Sequence, residues 1–257
     1  MTATTLTGAS TLAGACATGL VAFDTETTSP SPNTTRLVTV AVVVLTRPDP
    51  SVQFTRVDHH WLINPGVPIP DGAAAIHGIT TDKAQAEGVD SATAIGQVLE
   101  VLTAHQAAGL PVISHNAAFD WTVLDREARR HGHTPPAPTR VVDTFVLDKH
   151  ADTYRRGSRT LTATAAHYGV TLDHAHEATA DALAAARIAW AIASRYPDIG
   201  TADLDQLHTQ QTGWKADQAT SLQEYFRRND PKAVVDPTWP IHPLPTGWDP
   251  TATEETP

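Results

Sequence analysis

Val21-Ala-Phe-Asp-Thr-Glu-Thr-Thr28 follows Leu20 as a short apolar run that ends in two carboxylates, Asp24 and Glu26. The run reads as a buried strand. Side chains alternate across a strand, so positions 24 and 26 point to the same side. Two anions held that close repel each other and destabilise the fold unless something neutralises them. A divalent cation is the natural candidate, because hard cations take carboxylate oxygens. A polar, solvated strand end is the other reading of the same residues. The rest of the chain decides between the two.

A chain of 257 residues has room for one large domain with appendages, or for two small ones. Its 41% hydrophobic content suffices for a sizeable core. The net charge of -10 argues against a protein that holds nucleic acid by bulk positive charge. It does not argue against an enzyme that reaches phosphates through bound metals. The single cysteine, Cys16, excludes an internal disulfide framework and fits a reducing cytosol. Residues 1–19, rich in Thr, Ala and Gly, lack the basic region and apolar core of a secretory signal. No run approaches the roughly 18 apolar residues of a membrane span. The expectation is a soluble, cytoplasmic protein with a flexible leader over residues 1–18.

Residues 36–45 (RLVTVAVVVL) are almost wholly apolar and β-branched, as a central strand is. A third strand is expected over 52–64, completing an antiparallel meander. A Pro/Gly loop over 64–72 leads into a short helix over 73–80 that ends at Gly78. A helix follows over 91–108, with Ser91 available as its cap, then a strand over 111–115. In the amphipathic helix over 119–131, Phe119, Val123 and Leu124 are expected inward, and Arg126, Glu127, Arg129 and Arg130 outward. Residues 141–147 suggest a strand passing into a helix, and helices are expected over 161–168 and 178–195. Strands followed by alternating strands and helices predict an α/β domain over 19–197, with helices packed on a mixed sheet. Residues 198–229 form a helical extension in which Leu204, Leu207, Trp214, Leu222, Tyr225 and Phe226 supply a packing stripe. From 230 onward the chain is Pro-rich and irregular. Trp239 and Trp248 are expected to clamp part of this tail onto the domain, and 251–257 to be disordered.

Two further stretches carry candidate chemistry. In Ser114-His-Asn-Ala-Ala-Phe-Asp120 a strand ends at His115 and a helix begins near Phe119, so Asp120 sits in a first helical turn beside the sheet's mouth. In His176-Glu-Ala-Thr-Ala-Asp181 an acid again opens a helix, with a histidine in the loop before it. Either Asp alone is explained as well by the helix dipole.

Taken in order, D-x-E on the first strand, H-N-x-x-F-D and H-x-x-x-x-D resemble the DEDDh branch of the 3′–5′ exonucleases. Phe23-Asp-Thr-Glu-Thr-Thr28 is similar to that family's first motif. Asn64-Pro-Gly with Ile76-His-Gly-Ile-Thr80, and His167-Tyr-Gly-Val170, resemble segments flanking its second and third. The resemblance covers roughly residues 18–195. One departure is visible: Ser29-Pro30 stands where the family has Gly after the Thr pair.

The resemblance implies a ribonuclease H-like, mixed five-stranded sheet flanked by helices. It implies that Asp24, Glu26, Asp120 and Asp181 bind two Mg2+ or Mn2+ ions and that His176 acts as general base. The substrate would be nucleic acid with a free 3′ end, DNA in preference to RNA, with a DNA polymerase as a partner. Thr27 and Thr28 would meet the terminal nucleotide. His77 is read either as a turn residue or as a substrate contact. Asn116 and His115 either touch substrate or organise their loop. Phe119 is a core residue or a stacking platform, Trp121 a packing residue. Arg155, Arg156 and Arg159 are solvated loop charges or phosphate contacts. A ribonuclease of the same family would carry the same active-site residues. A non-catalytic polymerase accessory or nucleic-acid-binding module is the reading from another class.

Overall fold

The computed structural model of the chain describes residues 9–172 and 175–252. In chain order its elements are α1 (Leu12–Thr18), β1 (Gly19–Thr27), β2 (Leu37–Thr46), β3 (Thr55–Asn64), α2 (Asp71–His77), α3 (Thr81–Glu87), β4 (Val89–Asp90), α4 (Ser91–Ala107), β5 (Val112–Ser114), α5 (Ala117–Arg130), β6 (Val141–Asp143), α6 (Thr144–Ala151), α7 (Leu161–Tyr168), α8 (Ala178–Arg195), α9 (Pro197–Gly200) and α10 (Leu204–Arg227). The sheet order is β4-β3-β2-β1-β5-β6. β1, β2 and β3 form the expected antiparallel meander, and β5 and β6 run parallel to β1.

The sheet is six-stranded, not five-stranded. The additional strand, β4, is a two-residue parallel pairing on β3. Two residues leave no periodicity to read.

Alternation along β1 sorts its side chains onto two cores. Val21 and Phe23 pack with residues of α4 and α5, while Leu20 and Ala22 pack with residues of α1 and α8. The next strand, β2, is buried through eight consecutive residues. Helices on both of its faces leave no solvated side, which explains its unbroken β-branched run. The same alternation carries Asp24 and Glu26 onto the α8 side and Thr25 onto the α5 side. Glu26 is followed by an irregularity in the β1–β2 register.

Three further expectations are corrected. Residues 12–18 of the expected leader form α1, capped by Thr11 and anchored by the fully buried Leu12. Residues 1–8 lie outside the described residues. On α5, Arg126, Glu127 and the Arg130 side chain are buried instead of facing solvent. The cause is the tail, which crosses that face. Arg126 donates to the carbonyls of His242 and Pro243 at 3.0 and 2.8 Å. Arg36 donates to Pro250 and Ala252 at 3.3 and 3.1 Å. Trp248 Nε1 donates to Asn33 O at 3.0 Å, and Trp239 is buried. Both tryptophans thus hold the tail as expected. Of the stretch expected to be disordered, 253–257 lies outside the described residues.

The third correction concerns 203–229. One long helix, α10, covers the edge strand β6. Gln211 accepts from Asp143 N at 2.7 Å and donates to Val141 O at 2.9 Å, while His208 Nδ1 accepts from Val141 N. Side chains thereby satisfy an edge that another strand would otherwise pair with. Leu204 and Leu207 are buried there, but Leu222, Tyr225 and Phe226 are exposed, so the packing stripe covers only the first half. Among the described residues no helix is long and apolar enough to cross a membrane.

Arg36 is buried and bonds carbonyls of the 28–36 loop as well as of the tail. Arg36→Ala is expected to cost about 1.5–3 kcal/mol, as charge-assisted bonds to buried carbonyls do. The check is a lower urea midpoint with an unchanged slope.

Candidate active site

Strand alternation places the Asp24 and Glu26 side chains together at the C-terminal end of β1. The first turn of α5 brings Asp120 to the same end of the sheet, where Thr25 Oγ1 donates to its Oδ1 at 2.7 Å. The first turn of α8 brings Asp181, whose Oδ2 accepts from His176 N at 3.1 Å. Glu26, His176 and Asp181 each present a ligand atom, all within 4.8 Å of one another. Asp24 is close enough to feel the charges of Asp120, Asp181 and Glu26.

The electrostatics are those of anions in need of a counter-cation. Burial, then the charges of Asp181 and Asp120, push the Glu26 carboxyl from 4.5 to about 8. Asp120 is raised to about 7, mainly by burial; the Thr25 hydroxyl works against the shift. Asp24 is raised well above the carboxylate range by burial and by its three acidic neighbours. Burial also raises Asp181, against the opposing pull of His176. Among the described residues none of the four pairs with Lys or Arg. Asp181 Oδ1 is buried without a hydrogen-bond partner among them. An oxygen-rich donor set with one orphaned oxygen fits a hard divalent cation.

His176 is exposed and has a φ of 70°, in the left-handed region that non-glycine residues seldom adopt. Its main-chain bond to Asp181 holds it there. His77 lies beside the Thr27 backbone and within charge range of His176. Its Nδ1 accepts from Ile79 N at 3.2 Å, so the neutral ring carries its proton on Nε2. That nitrogen is buried, with the Thr27 backbone as its polar neighbour and no hydrogen bond of full geometry.

Several other candidates are taken up by the fold, while the Asn116 side chain and part of the Phe119 ring are not. Both ring nitrogens of His115 are engaged, with Thr144 Oγ1 at 2.8 Å and Arg159 O at 3.0 Å. Asn116 is the left-handed N-cap residue of α5, but its side chain makes no capping bond. Phe119 packs half-buried on the core, and Trp121 is fully buried against Phe23. The Thr27 hydroxyl donates to Ser29 O, and the Thr28 hydroxyl bonds Thr35 Oγ1 while Thr28 N donates to Arg36 O. Arg155 and Arg159 are neither solvated nor free for phosphate: both reach the buried Asp148 at 2.6 Å.

Asp143 escapes a reading of the sequence. Its carboxylate accepts from the main chains of Asn116, Ala117 and Phe145 and from Trp239 Nε1. It therefore fixes the start of α5, where Asp120 sits, and ties the tail to it. Its sequence signal is that of an ordinary N-cap, an Asp just before a helix. Thr25 is missed because its alternation points it away from the two acids it separates.

The chain matches the family model RNase_T, described as exonuclease, over residues 21–189. It is 30% identical over 193 residues to the PolC-type DNA polymerase III of Streptococcus thermophilus strain LMD-9, covering 74% of this chain and 12% of that protein. The Streptococcus pneumoniae D39 polymerase of the same type is 30% identical over 170 residues, 65% of this chain and 11% of that one. The chain thus spans about an eighth of the length of these curated relatives. In fold it is similar to Escherichia coli exonuclease I in complex with a dT13 oligonucleotide, with a TM-score of 0.59 at 19% identity, covering 71% of this chain and 42% of that one. A zinc-bound form of an exonuclease I–single-stranded DNA complex aligns with a TM-score of 0.59 at 21% identity, with the same coverage of 71% and 42%. The matched span runs from β1 into α8 and takes in Asp24, Glu26, Asp120, His176 and Asp181, and the chain belongs to the RNase_T exonuclease family.

Proposed function

We propose that this protein is a 3′–5′ exonuclease that hydrolyses the terminal phosphodiester of DNA and releases nucleoside 5′-monophosphates. Asp24, Glu26, Asp120 and Asp181 would hold two divalent ions, Mg2+ or Mn2+. The observation that carries this reading is the convergence of four carboxylates with raised proton affinity and no basic partner among the described residues. Bound there, such ions supply an activated water and charge stabilisation for the attacking and leaving oxygens.

The protein's own groups do the rest. The exposed His176 imidazole takes the proton from the attacking water. His77 Nε2 donates to a phosphate oxygen of the substrate. The half-buried Phe119 ring and the Asn116 amide meet the terminal nucleotide. Thr27 and Thr28 hold the turn beside it through the bonds described above. DNA is favoured as substrate because the relatives are named as DNA polymerases and the structural neighbours were solved with deoxyoligonucleotides. The same names support action in the cytoplasm beside a DNA polymerase.

The test is a 5′-labelled strand, as DNA or RNA and single or double, with Mg2+ or Mn2+. DNA should shorten stepwise from its 3′ end, and EDTA should stop it. Preference for RNA would overturn the substrate assignment; inertness in every combination would overturn the activity. Thr25→Val removes the bond that holds the Asp120 pKa down. Its acidic limb in a pH–rate profile is expected to move upward, with turnover at neutral pH falling about tenfold, the effect of about 1.4 kcal/mol.

A further inference from the structure

The second half of α10 lies outside the family's matched span and, Ala219 apart, outside the core. Tyr225 and Phe226 are 56% and 44% exposed. Between this half and α6 runs a groove of about 420 Å3, where the His150 and Trp214 rings stack with centroids 3.7 Å apart. Beside it, two ammonium groups lie over the Phe145 ring, Lys149 Nζ at 5.2 Å and Lys215 Nζ at 5.9 Å from its centroid. Neither lysine forms an ion pair among the described residues. Burial, then the Lys215 and Arg159 charges, lower the proton affinity of Lys149. The acids nearby are Asp217, on the groove's rim, and Asp236, which feels the Lys215 charge without pairing with it. Two cations without an ion pair among the described residues, beside a cluster of aromatic rings, are unexpected in a chain of net charge -10.

This strip is linked to the start of α5. Phe145 N and Asn116 N donate to the same oxygen, Asp143 Oδ1, at 3.0 and 2.9 Å. The His115 ring meets Phe145 edge-on at 5.8 Å. Asn116 begins the helix whose first turn carries Asp120. Strands β1 and β6 lie two sheet spacings apart, about 10 Å, which matches about three stacked nucleotides.

We propose that the α6–α10 strip binds the single-stranded segment leading to the 3′ end, with Lys149 and Lys215 on its phosphates and the exposed rings of His150 and Tyr225 against its bases. Sequence-tolerant single-strand sites combine these two features, a cationic track and stacking faces. The proposal rests on the exonuclease reading of the carboxylate site and specifies its substrate as unpaired strand.

The experiment compares two substrates, a (dT)16 oligonucleotide and the p-nitrophenyl ester of thymidine 5′-monophosphate, which is too small to reach the strip. Lys149→Ala combined with Lys215→Ala should raise KM for (dT)16 at least tenfold and leave ester turnover unchanged. The dependence of log KM on log salt should become shallower by about 1.4, or about 0.7 for each single-strand phosphate that is no longer neutralised. Arginine at both positions should keep the wild-type KM. If the wild type cleaves neither substrate, the exonuclease reading falls and the strip with it. Wild-type cleavage with an unaltered KM and salt slope in the double-alanine variant overturns the strip alone.

Discussion

Asp24→Ala is expected to abolish nuclease turnover, by about a thousandfold or more, while making the metal-free protein more stable. The first effect follows from removing a carboxylate at the centre of the proposed ion site, where loss of a single group that stabilises transition-state charge costs about 100–1,000-fold or more. The second follows from the electrostatics. Asp24 is crowded by Asp120, Asp181 and Glu26, and its ionised form is disfavoured by burial as well. Deleting it relieves a repulsion that the metal-free fold has no cation to offset. A gain of about 1–2 kcal/mol would raise Tm by several degrees in a chain of this size. A catalytic loss from simple misfolding would lower Tm instead, so the two readouts with opposite signs isolate the site. Unchanged turnover would refute the assignment of Asp24.

Burial, with that crowding, makes metal-free stability depend on pH in an unusual direction. Glu26 moves from 4.5 to about 8 and Asp120 from 3.8 to about 7 on folding, so the folded chain binds more protons than the unfolded chain between those values. Stability rises with pH only where the unfolded state binds more protons. Here the sign is reversed. The penalty is absent below about pH 4, grows as pH rises, and is complete above about pH 8. In EDTA the protein should therefore melt at a lower temperature at pH 8 than at pH 5.5. Mn2+ should restore the difference, and its stabilisation, about 2.7 kcal/mol at a hundredfold excess over Kd, should be larger at pH 8. Differential scanning calorimetry in EDTA and in Mn2+ reads both. A metal-free Tm that climbs steadily from pH 5.5 to 8 would contradict the proposed crowding.

What was legible in the sequence is what local pattern carries. Alternation placed Asp24 and Glu26 on one side, and the helix starts before Asp120 and Asp181 placed both acids at the mouth of the sheet. The unbroken apolar run over residues 36–45 announced a central strand. What pattern cannot carry is the distant chain. Arg126 and Glu127 look like a solvent face until the tail, more than a hundred residues later, covers them. Arg155 and Arg159 look like a phosphate-binding loop until Asp148 is known to lie beneath them. Asp143 looks like one more helix cap, although it joins α5, α6 and Trp239. The role of His77 depends on Nε2, a buried donor beside the Thr27 backbone, a surrounding that only the fold reveals.

The tail and α10 also change how the family's site is embedded. α10 closes β6, and the tail ties the loop after β1 to α5 through Arg36, Arg126 and Trp248. The unusual Ser29-Pro30 turn lies in that loop, so its course is set partly by residues outside the matched span.

The proposed activity depends above all on the four carboxylates forming a divalent-ion site. The number of Mn2+ ions bound per chain, counted by electron paramagnetic resonance with thymidine 5′-monophosphate present, measures that property itself. Saturation near two ions is expected for the wild type, with markedly weaker binding in Asp181→Asn. No saturable binding in the wild type, or identical isotherms for the two proteins, would contradict it.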